Sequence, residues 1–262
     1  MSTTLRFAAL VAVLALTPAY AQYTDELVRI GVLTDLSGIY ADLSGPGSVL
    51  AAQMAVQDAG GRVNGRPIEA VSGDTLNKPD VGATIARRWF DTDKVDVVVD
   101  LVPTTVALAV SQLAHEKNKL ALVVGSAVTA LTNEQCTPTN VHWMYDSYAQ
   151  AVGTAASIAR AGGDSWFFIT MDNVAGKTIE QDATRALAAA NARIVGSIKH
   201  PFPGTDFSSF VVAAQRSKAK VIAIANAGTD ATGTIKQAVE FRVLCDLRPR
   251  TLKVGSRLRS VG

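Results

Sequence analysis

The side chains best placed to do chemistry in this sequence are small and polar, and they follow apolar runs. Val95–Leu101 and Leu120–Gly125 are nearly continuous apolar segments, typical of strands buried on both faces of a parallel sheet. Hydroxyls and free backbone N–H groups after such strands hold a carboxylate well, but neither loop offers a nucleophile beside a base. The chemistry that they predict is binding rather than reaction. The candidates in these two loops are Thr104, Thr105, Ser126, Ala127, Val128 and Thr129.

A second group of polar and aromatic residues follows other apolar runs of the chain. Each alone is more often structural, for example as a helix cap, but all are predicted at strand ends, where open parallel sheets bind ligands. Tyrosines there can pack against the apolar or aromatic body of a ligand. Tyr148 and Asp172 also belong to this group. Its main candidates are Tyr40, Tyr145, Asn173, Gly228, Thr229 and Asp230.

Several other kinds of site are excluded or disfavoured by the sequence. Gly176-Lys177-Thr178 resembles the end of a phosphate loop, but Met171 stands where that loop needs glycine. The three histidines are isolated, and no G-x-S-x-G motif occurs, so neither a metal site nor a hydrolase is predicted. No basic face with interleaved aromatics points to nucleic acid. A disulfide between Cys136 and Cys245 stays open but is not favoured. We therefore expect no enzyme activity and no cofactor.

The elements that must position these residues alternate between strand and helix in two successive blocks. This alternation predicts parallel sheets flanked by helices, an α/β fold with two Rossmann-like lobes. Val141–Tyr145 is interpreted as the crossing between them. The predicted strands are Val28–Leu33, Pro67–Ser72, Val95–Leu101, Leu120–Gly125, Trp166–Thr170, Arg193–Lys199 and Lys220–Asn226, and the helices include Lys78–Asp91, a helix capped by Thr104 or Thr105, Tyr148–Ala161, Gly176–Ala190, Phe207–Ser217 and Thr229–Phe241.

Both ends of the chain differ from the body. Arg6, the apolar run Phe7–Leu16 and Ala19-Tyr20-Ala21 are typical of an export signal cleaved after Ala21. From Arg242 the alternation ends in an Arg-rich, aperiodic segment, which is either a disordered basic tail or the product of a lost reading frame. The predicted organisation is a signal peptide (1–21), a first lobe (27–144), an incomplete second lobe (145–241) and an aberrant tail (242–262).

Several long runs in the body resemble the periplasmic type I solute-binding proteins of ABC transporters, in the group that binds branched-chain amino acids and aromatic acids. The runs are RIGVLTDLSGIYADLSGPGSVLAAQMAV, VALAVSQLAHEKNK, CTPTNVHWMYDSYA, DFSSFVVAAQ and KVIAIANAG. The resemblance implies two hinged lobes that hold a ligand between them. It places carboxylate contacts near Thr104, Thr105 and the Ser126–Thr129 loop, and second-lobe contacts near Asn173–Gly176 and Gly228–Asp230.

Two departures from this family pattern affect the expectations. Where relatives commonly carry an aromatic residue, this chain has Asn173 and Ala175, which weakens one wall of the expected site. The family also continues well beyond Phe241, so a truncated or frameshifted form is expected.

The resulting hypothesis is a periplasmic substrate-binding component that delivers a small carboxylate, an aromatic acid or a branched-chain amino acid, to ABC permease subunits. The alternatives are a ligand-sensing domain of a signalling system and, less favoured, an exported α/β enzyme.

Overall fold

The computed structural model describes residues 25–243, which alternate between strands and helices as the sequence predicts. The predicted signal segment, Cys245 and the tail from Leu244 onward lie outside the described residues. The strands are β1 (Val28–Thr34), β2 (Arg62–Val63), β3 (Arg66–Asp74), β4 (Val97–Asp100), β5 (Leu120–Val123), β6 (Asn140–His142), β7 (Ser165–Met171), β8 (Arg193–His200) and β9 (Val221–Ala225). The helices are α1 (Gly45–Asp58), α2 (Pro79–Asp91), α3 (Thr104–Glu116), α4 (Ser147–Arg160), α5 (Val174–Ala189), α6 (Ser208–Arg216) and α7 (Gly228–Glu240).

The first sheet has the strand order β2-β3-β1-β4-β5-β6. All its pairings are parallel except that of β2 with β3, which forms a short hairpin across Asn64 and Gly65. Both turn residues have positive φ, at 48° and 79°, as a tight hairpin turn of this type requires. With α1, α2 and α3 this sheet forms the first lobe. Its parallel strands bring the loops after β1, β3, β4 and β5 to one edge.

The last strand of this sheet corrects one expectation. Only the end of Val141–Tyr145 belongs to the crossing between lobes, because Asn140–His142 pairs in parallel with β5, with Val141 opposite Leu122. The crossing comes afterwards, and Asp146 then caps α4 by accepting a hydrogen bond from the Ala149 N–H at 2.7 Å. Three residues are too short for a clear alternation of apolar and polar side chains, so pairing with β5 decides this assignment.

The second sheet has the order β8-β7-β9, again with parallel pairings, and forms the second lobe with α4 to α7. Every residue of the central strand β7 is buried. Trp166 and Phe168 pack in a core with α4 and α5, whereas Phe167 and Ile169 pack in another with α6. A strand covered on both faces needs apolar residues at every position, which explains the continuous run in its sequence.

Helix α3 supports the first lobe with one apolar face. Val106, Val110 and Leu113 are buried in the core that this helix shares with α2 and the first sheet. The expected threonine cap is wrong, however: Pro103 occupies the N-cap position and Thr104 is the first helical residue. No side chain caps this helix, so its first backbone N–H groups lack a side-chain partner.

Candidate functional site

A cavity of about 360 Å³ lies between the two lobes, where the strand-end loops of both sheets meet. The first lobe contributes residues from the loops after β1, β3 and β4, and the second lobe contributes residues from the loops after β7 and β8. Such a crevice beyond the carboxyl ends of parallel strands is where open α/β sheets bind ligands. The lining residues are Tyr40, Leu76, Asn77, Lys78, Thr104, Thr105, Asn173, Val174, Ala175, Phe202 and Pro203.

Three helices begin at this cavity, which makes it suited to an anion. Lys78 is the N-cap residue of α2, Thr104 is the first residue of α3, and Asn173 is the N-cap residue of α5. The Asn173 side chain accepts a hydrogen bond from the Gly176 N–H at 2.9 Å, whereas no side chain caps α2 or α3. Helix N-termini carry positive partial charge and unsatisfied donors. A carboxylate placed between α2 and α3 would satisfy both.

The loop after β1 is held rigidly and presents Tyr40 to the second lobe. The carboxylate of Asp35 is fully buried, and its two oxygens accept hydrogen bonds from the backbone N–H groups of Gly38 and Tyr40, each at 3.0 Å. A β-carbon on Gly38 would lie 2.5 Å from Asp35 Oδ1, so only glycine fits there. The carboxylate of Asp74 anchors the same loop by accepting from the Ser37 hydroxyl at 2.6 Å.

Tyr40 itself contacts the loops that follow all three strands of the second sheet. The side chain of Asn173, after β7, lies close enough to its hydroxyl to act on its pKa. Its ring lies 6.0 Å from that of Phe202, after β8, at an angle of 36°. After β9, a β-carbon on Gly228 would lie 3.3 Å from its Cδ1 atom. Burial, then the charges of Asp230 and Asp35, raise the pKa of Tyr40 to about 12, although the Asn173 side chain opposes the rise.

A buried polar network lies behind Tyr40 in the second lobe. Asp230 is 1% exposed, and its Oδ2 atom accepts a hydrogen bond from the Gly204 N–H at 2.9 Å, whereas Oδ1 has no partner. Oδ2 also lies 3.7 Å from Nδ1 of the buried His200, whose Nε2 atom lies 2.8 Å from Oδ1 of Asn226. Burial raises the pKa of Asp230, against the opposing effects of the Gly204 N–H and His200.

A second, larger cavity of about 720 Å³ lies elsewhere between the lobes, beside α5 and the loop after β5. Its lining includes Val128, Thr129 and Tyr148, together with Asp182 and Arg185 of α5. The Ser147 hydroxyl donates to Asp182 Oδ2 at 2.8 Å, and Arg185 pairs with the other carboxylate oxygen at 3.3 Å. Asp182 and Arg185 are therefore already engaged with each other, and the lining also includes the carboxylates of Glu134 and Asp146.

The structure thus separates the predicted site residues. Tyr40, Thr104, Thr105 and Asn173 line the smaller cavity, whereas Val128 and Thr129 line the larger one. The remaining six line neither. Ser126 is buried and donates to the Thr104 hydroxyl at 3.4 Å, and the Ala127 carbonyl accepts from the Ser147 N–H at 2.6 Å. Tyr145 is 53% exposed, and Thr229 is also exposed. Gly228 and Asp230 lie beside Tyr40 in the second lobe.

Sequence reasoning missed five lining residues, namely Leu76, Asn77, Lys78, Phe202 and Pro203. All five follow strands β3 and β8, so the rule that directs attention to strand-end loops could have found them. Lys78 was interpreted only as the start of a helix, and the loop after β8 carries few polar side chains that would have drawn attention to it.

Within residues 25–243, no three His, Cys, Asp or Glu side chains are grouped so as to hold a metal ion. In the same part of the chain, no helix has the length and apolar character needed to cross a membrane.

Comparison with known proteins gives a consistent result. The family model for periplasmic binding proteins matches residues 27–243. A periplasmic binding protein from Burkholderia mallei is 43% identical, with a TM-score of 0.81 over 84% of this chain and 59% of that one. A branched chain amino acid ABC transporter periplasmic ligand-binding protein from Burkholderia xenovorans LB400 is 36% identical, with a TM-score of 0.70 over 82% of this chain and 57% of that one.

A third solved structure shows the fold alone, because its sequence identity is 22%. It is an ABC transporter solute binding protein from R. palustris in complex with benzoate, with a TM-score of 0.77 over 83% of this chain and 60% of that one. No curated protein matches the sequence. The chain therefore spans somewhat less than two thirds of the length of the solved proteins that it resembles.

Proposed function

The chain belongs to the periplasmic binding protein family, and on that premise we propose that it is the substrate-binding component of an ABC transporter and holds a small carboxylate between its two lobes. The observation that carries this proposal is the cavity of about 360 Å³ at which α2, α3 and α5 begin. Solute-binding proteins are not enzymes, and we propose the same for this chain.

The carboxylate is held by the first lobe. The uncapped N–H groups at the start of α3 and the hydroxyls of Thr104 and Thr105 are the donors that line the cavity on this side. Backbone donors at a helix start bind an anion with little reorganisation, because the fold already orients them. Ser126 supports this arrangement through its hydrogen bond to Thr104.

The second lobe completes the site through Asn173, Val174 and Ala175 of α5 and through Phe202. A ligand that contacts both lobes stabilises the closed arrangement relative to an open one, and this difference in affinity drives closure. We propose that the closed form is the one that the permease subunits recognise. The lobes are proposed to span 27–144 and 145–241. The other predicted site residues, in the Ser126–Thr129 and Gly228–Asp230 loops, act by supporting the closed lobes.

The relatives support a small carboxylate as the ligand class. The name of the Burkholderia xenovorans protein points to branched-chain amino acids, and the R. palustris proteins were solved with benzoate and 4-hydroxybenzoate. These ligands share a carboxylate on a compact body. We propose that this protein is exported to the periplasm by residues 1–21, and intact mass measurement of the periplasmic form would test cleavage after Ala21.

Isothermal titration calorimetry on the mature chain, residues 22–262, with a panel of amino acids and aromatic acids tests the binding function. Replacing Thr105 by Val keeps the shape of the side chain and removes its hydroxyl. We expect Thr105→Val to weaken binding by roughly tenfold, the value of one hydrogen bond to a charged group. The control is Thr84→Val on the exposed side of α2, where the hydroxyl donates to the Asp80 carbonyl. A folded chain that binds no carboxylate of the panel would contradict the proposal.

A further inference from the structure

The side-chain charge in the lining of the smaller cavity is positive only. Among the described residues that line it, Lys78 is the only one with a side chain that is charged at neutral pH, and no Asp or Glu is present. Within residues 25–243 the Lys78 ammonium group makes no salt bridge. This unpaired cation adds to the positive ends of the helices that begin there. The cavity therefore favours a ligand with net negative charge.

Four carboxylates in the loops around the cavity are not available to a ligand. Asp35 uses both oxygens within its own loop, and Asp74 accepts from Ser37, Leu36 and Leu76. Asp172 pairs with Lys177 at 2.8 Å. Asp230 keeps one unpaired oxygen, but this atom is sealed from solvent behind Tyr40. An α-ammonium group would therefore lose its water in the cavity without gaining an anionic partner, and such unpaired burial of charge is strongly unfavourable.

The apolar part of the lining suits a flat body. Tyr40 and Phe202 form an aromatic pair, and Pro203 adjoins it. Aromatic rings prefer the offset or tilted contacts that such a wall offers. No aromatic residue occupies positions 173 or 175, so Tyr40 and Phe202 are the only aromatic residues among the described residues that line this cavity.

From the absence of an anion in the lining, the free ammonium group of Lys78 and the aromatic pair, we propose that the ligand is an aromatic carboxylate without an α-ammonium group, and that Lys78 is the specificity-determining residue that pairs with its carboxylate. This inference rests on the proposed binding function and narrows its ligand class. An amino acid is rejected because its ammonium group finds no partner, a form of discrimination by unpaired polar groups.

Ligand pairs that differ only in the ammonium group test the proposal. Calorimetry on the mature chain compares 3-phenylpropanoate with L-phenylalanine, and 4-methylpentanoate with L-leucine. We expect the acid without the ammonium group to bind at least about tenfold more tightly in each pair, and the aromatic acid to bind best. Tighter binding of the amino acids would overturn this inference and leave the binding function intact. A folded chain that binds none of the four would overturn this inference, and one that also binds no carboxylate of the wider panel would overturn the binding function.

A substitution tests the role of Lys78 directly. We expect Lys78→Gln to weaken binding of 3-phenylpropanoate by about tenfold or more and to reduce the dependence of its Kd on salt, because one charge pair is lost. The matched control is Lys236→Gln on the exposed side of α7, which should bind as the unmodified protein does. Unchanged affinity and salt dependence in Lys78→Gln would overturn the assignment of this residue.

Discussion

Tyr40 and Gly228 come from different lobes, yet they lie so close that no side chain fits between them. A β-carbon on Gly228 would lie 2.7 Å from the carbonyl oxygen of Ile39 and 3.3 Å from Cδ1 of Tyr40. Gly228 also has φ +61°, a conformation that favours glycine. Tyr40 belongs to the first lobe, and only 6% of its surface is exposed in this position. The two lobes are therefore in direct contact here, and this contact limits how closely they can approach.

Replacing Gly228 by Ala should hold the lobes apart. The added methyl group meets backbone of the other lobe, which cannot rotate away, and the positive φ adds strain of roughly 1 kcal/mol. We expect a larger radius of gyration by small-angle X-ray scattering and at least about tenfold weaker ligand binding. Gly47→Ala on α1 is the control, because a β-carbon there meets nothing within 4 Å. Identical scattering and affinity in Gly228→Ala would contradict this role.

The buried Asp35 carboxylate should be essential for the shape of the Tyr40 loop. Asp35→Asn replaces one acceptor by a donor, so that the Gly38 or Tyr40 N–H loses its partner. We expect a loss of about 1–3 kcal/mol in the free energy of unfolding, the usual cost of leaving a buried group unpaired. Urea denaturation measures this change. Asp42→Asn, at an exposed position of the same loop, should change stability little; an equal loss in both variants would show that burial of Asp35 is irrelevant.

Tyr40 should make stability depend on pH in the alkaline range. Its pKa is raised from 10.0 to about 12 in the folded protein, chiefly by burial. Because this pKa is higher in the folded protein, the neutral Tyr40 hydroxyl makes its full contribution to the free energy of unfolding below pH 10. That contribution is lost as the pH rises towards 12 and beyond. The loss attributable to this group is of the order of 2–3 kcal/mol. Tyr40→Phe should remove this part of the pH dependence, as measured by chemical denaturation between pH 8 and pH 11; parallel curves for both proteins would contradict the prediction.

The hydroxyl of Tyr40 and the side chain of Asn173 should be energetically coupled across the lobes. Asn173→Ala removes both the side chain beside the Tyr40 hydroxyl and the cap of α5, whereas Tyr40→Phe removes the hydroxyl alone. A double-mutant cycle isolates the shared contact, for which we expect a coupling of about 0.5–1.5 kcal/mol. Strictly additive effects would mean that the cap accounts for the whole loss in Asn173→Ala.

Replacing Asp100 by its neutral isostere, asparagine, should stabilise the folded protein at pH 7. Asp100 is 3% exposed, its Oδ2 atom has no hydrogen-bond partner, and burial raises its pKa above 3.8 against the opposing effects of the Thr34 and Ser48 hydroxyls. Its φ of 83° is one that asparagine tolerates better than most residues. The native carboxyl is most stabilising below pH 3.8 and loses that contribution as the pH rises through its raised pKa. We therefore expect Asp100→Asn to melt at a higher temperature than the unmodified protein at pH 7.

The control for Asp100→Asn is the exposed Asp42→Asn, which should show no such gain at pH 7. The advantage of Asp100→Asn should also shrink as the pH approaches 3.8. A lower melting temperature at pH 7 would show that the charged carboxylate is stabilising.

Most elements of this fold were accessible from local sequence patterns, because periodicity and burial are properties of neighbouring residues. The apolar run of β7 is an example: the strand was predicted as Trp166–Thr170 and is observed as Ser165–Met171. The short β6 was not predicted, because three residues carry little periodicity. The absence of a threonine cap on α3 was not predicted either, because Pro103 already satisfies the backbone geometry of the N-cap.

The sequence by itself determined the order of strands and helices, and hence that the polar loops lie at strand ends. Only the tertiary structure decided which of these loops meet. It places Lys78 and Phe202 at the same cavity as Thr104, moves Thr129 to a second cavity, and seals Asp230 behind Tyr40. The physical reason is that such contacts join residues far apart in the chain, and they depend on how two separately formed sheets face each other rather than on any local preference.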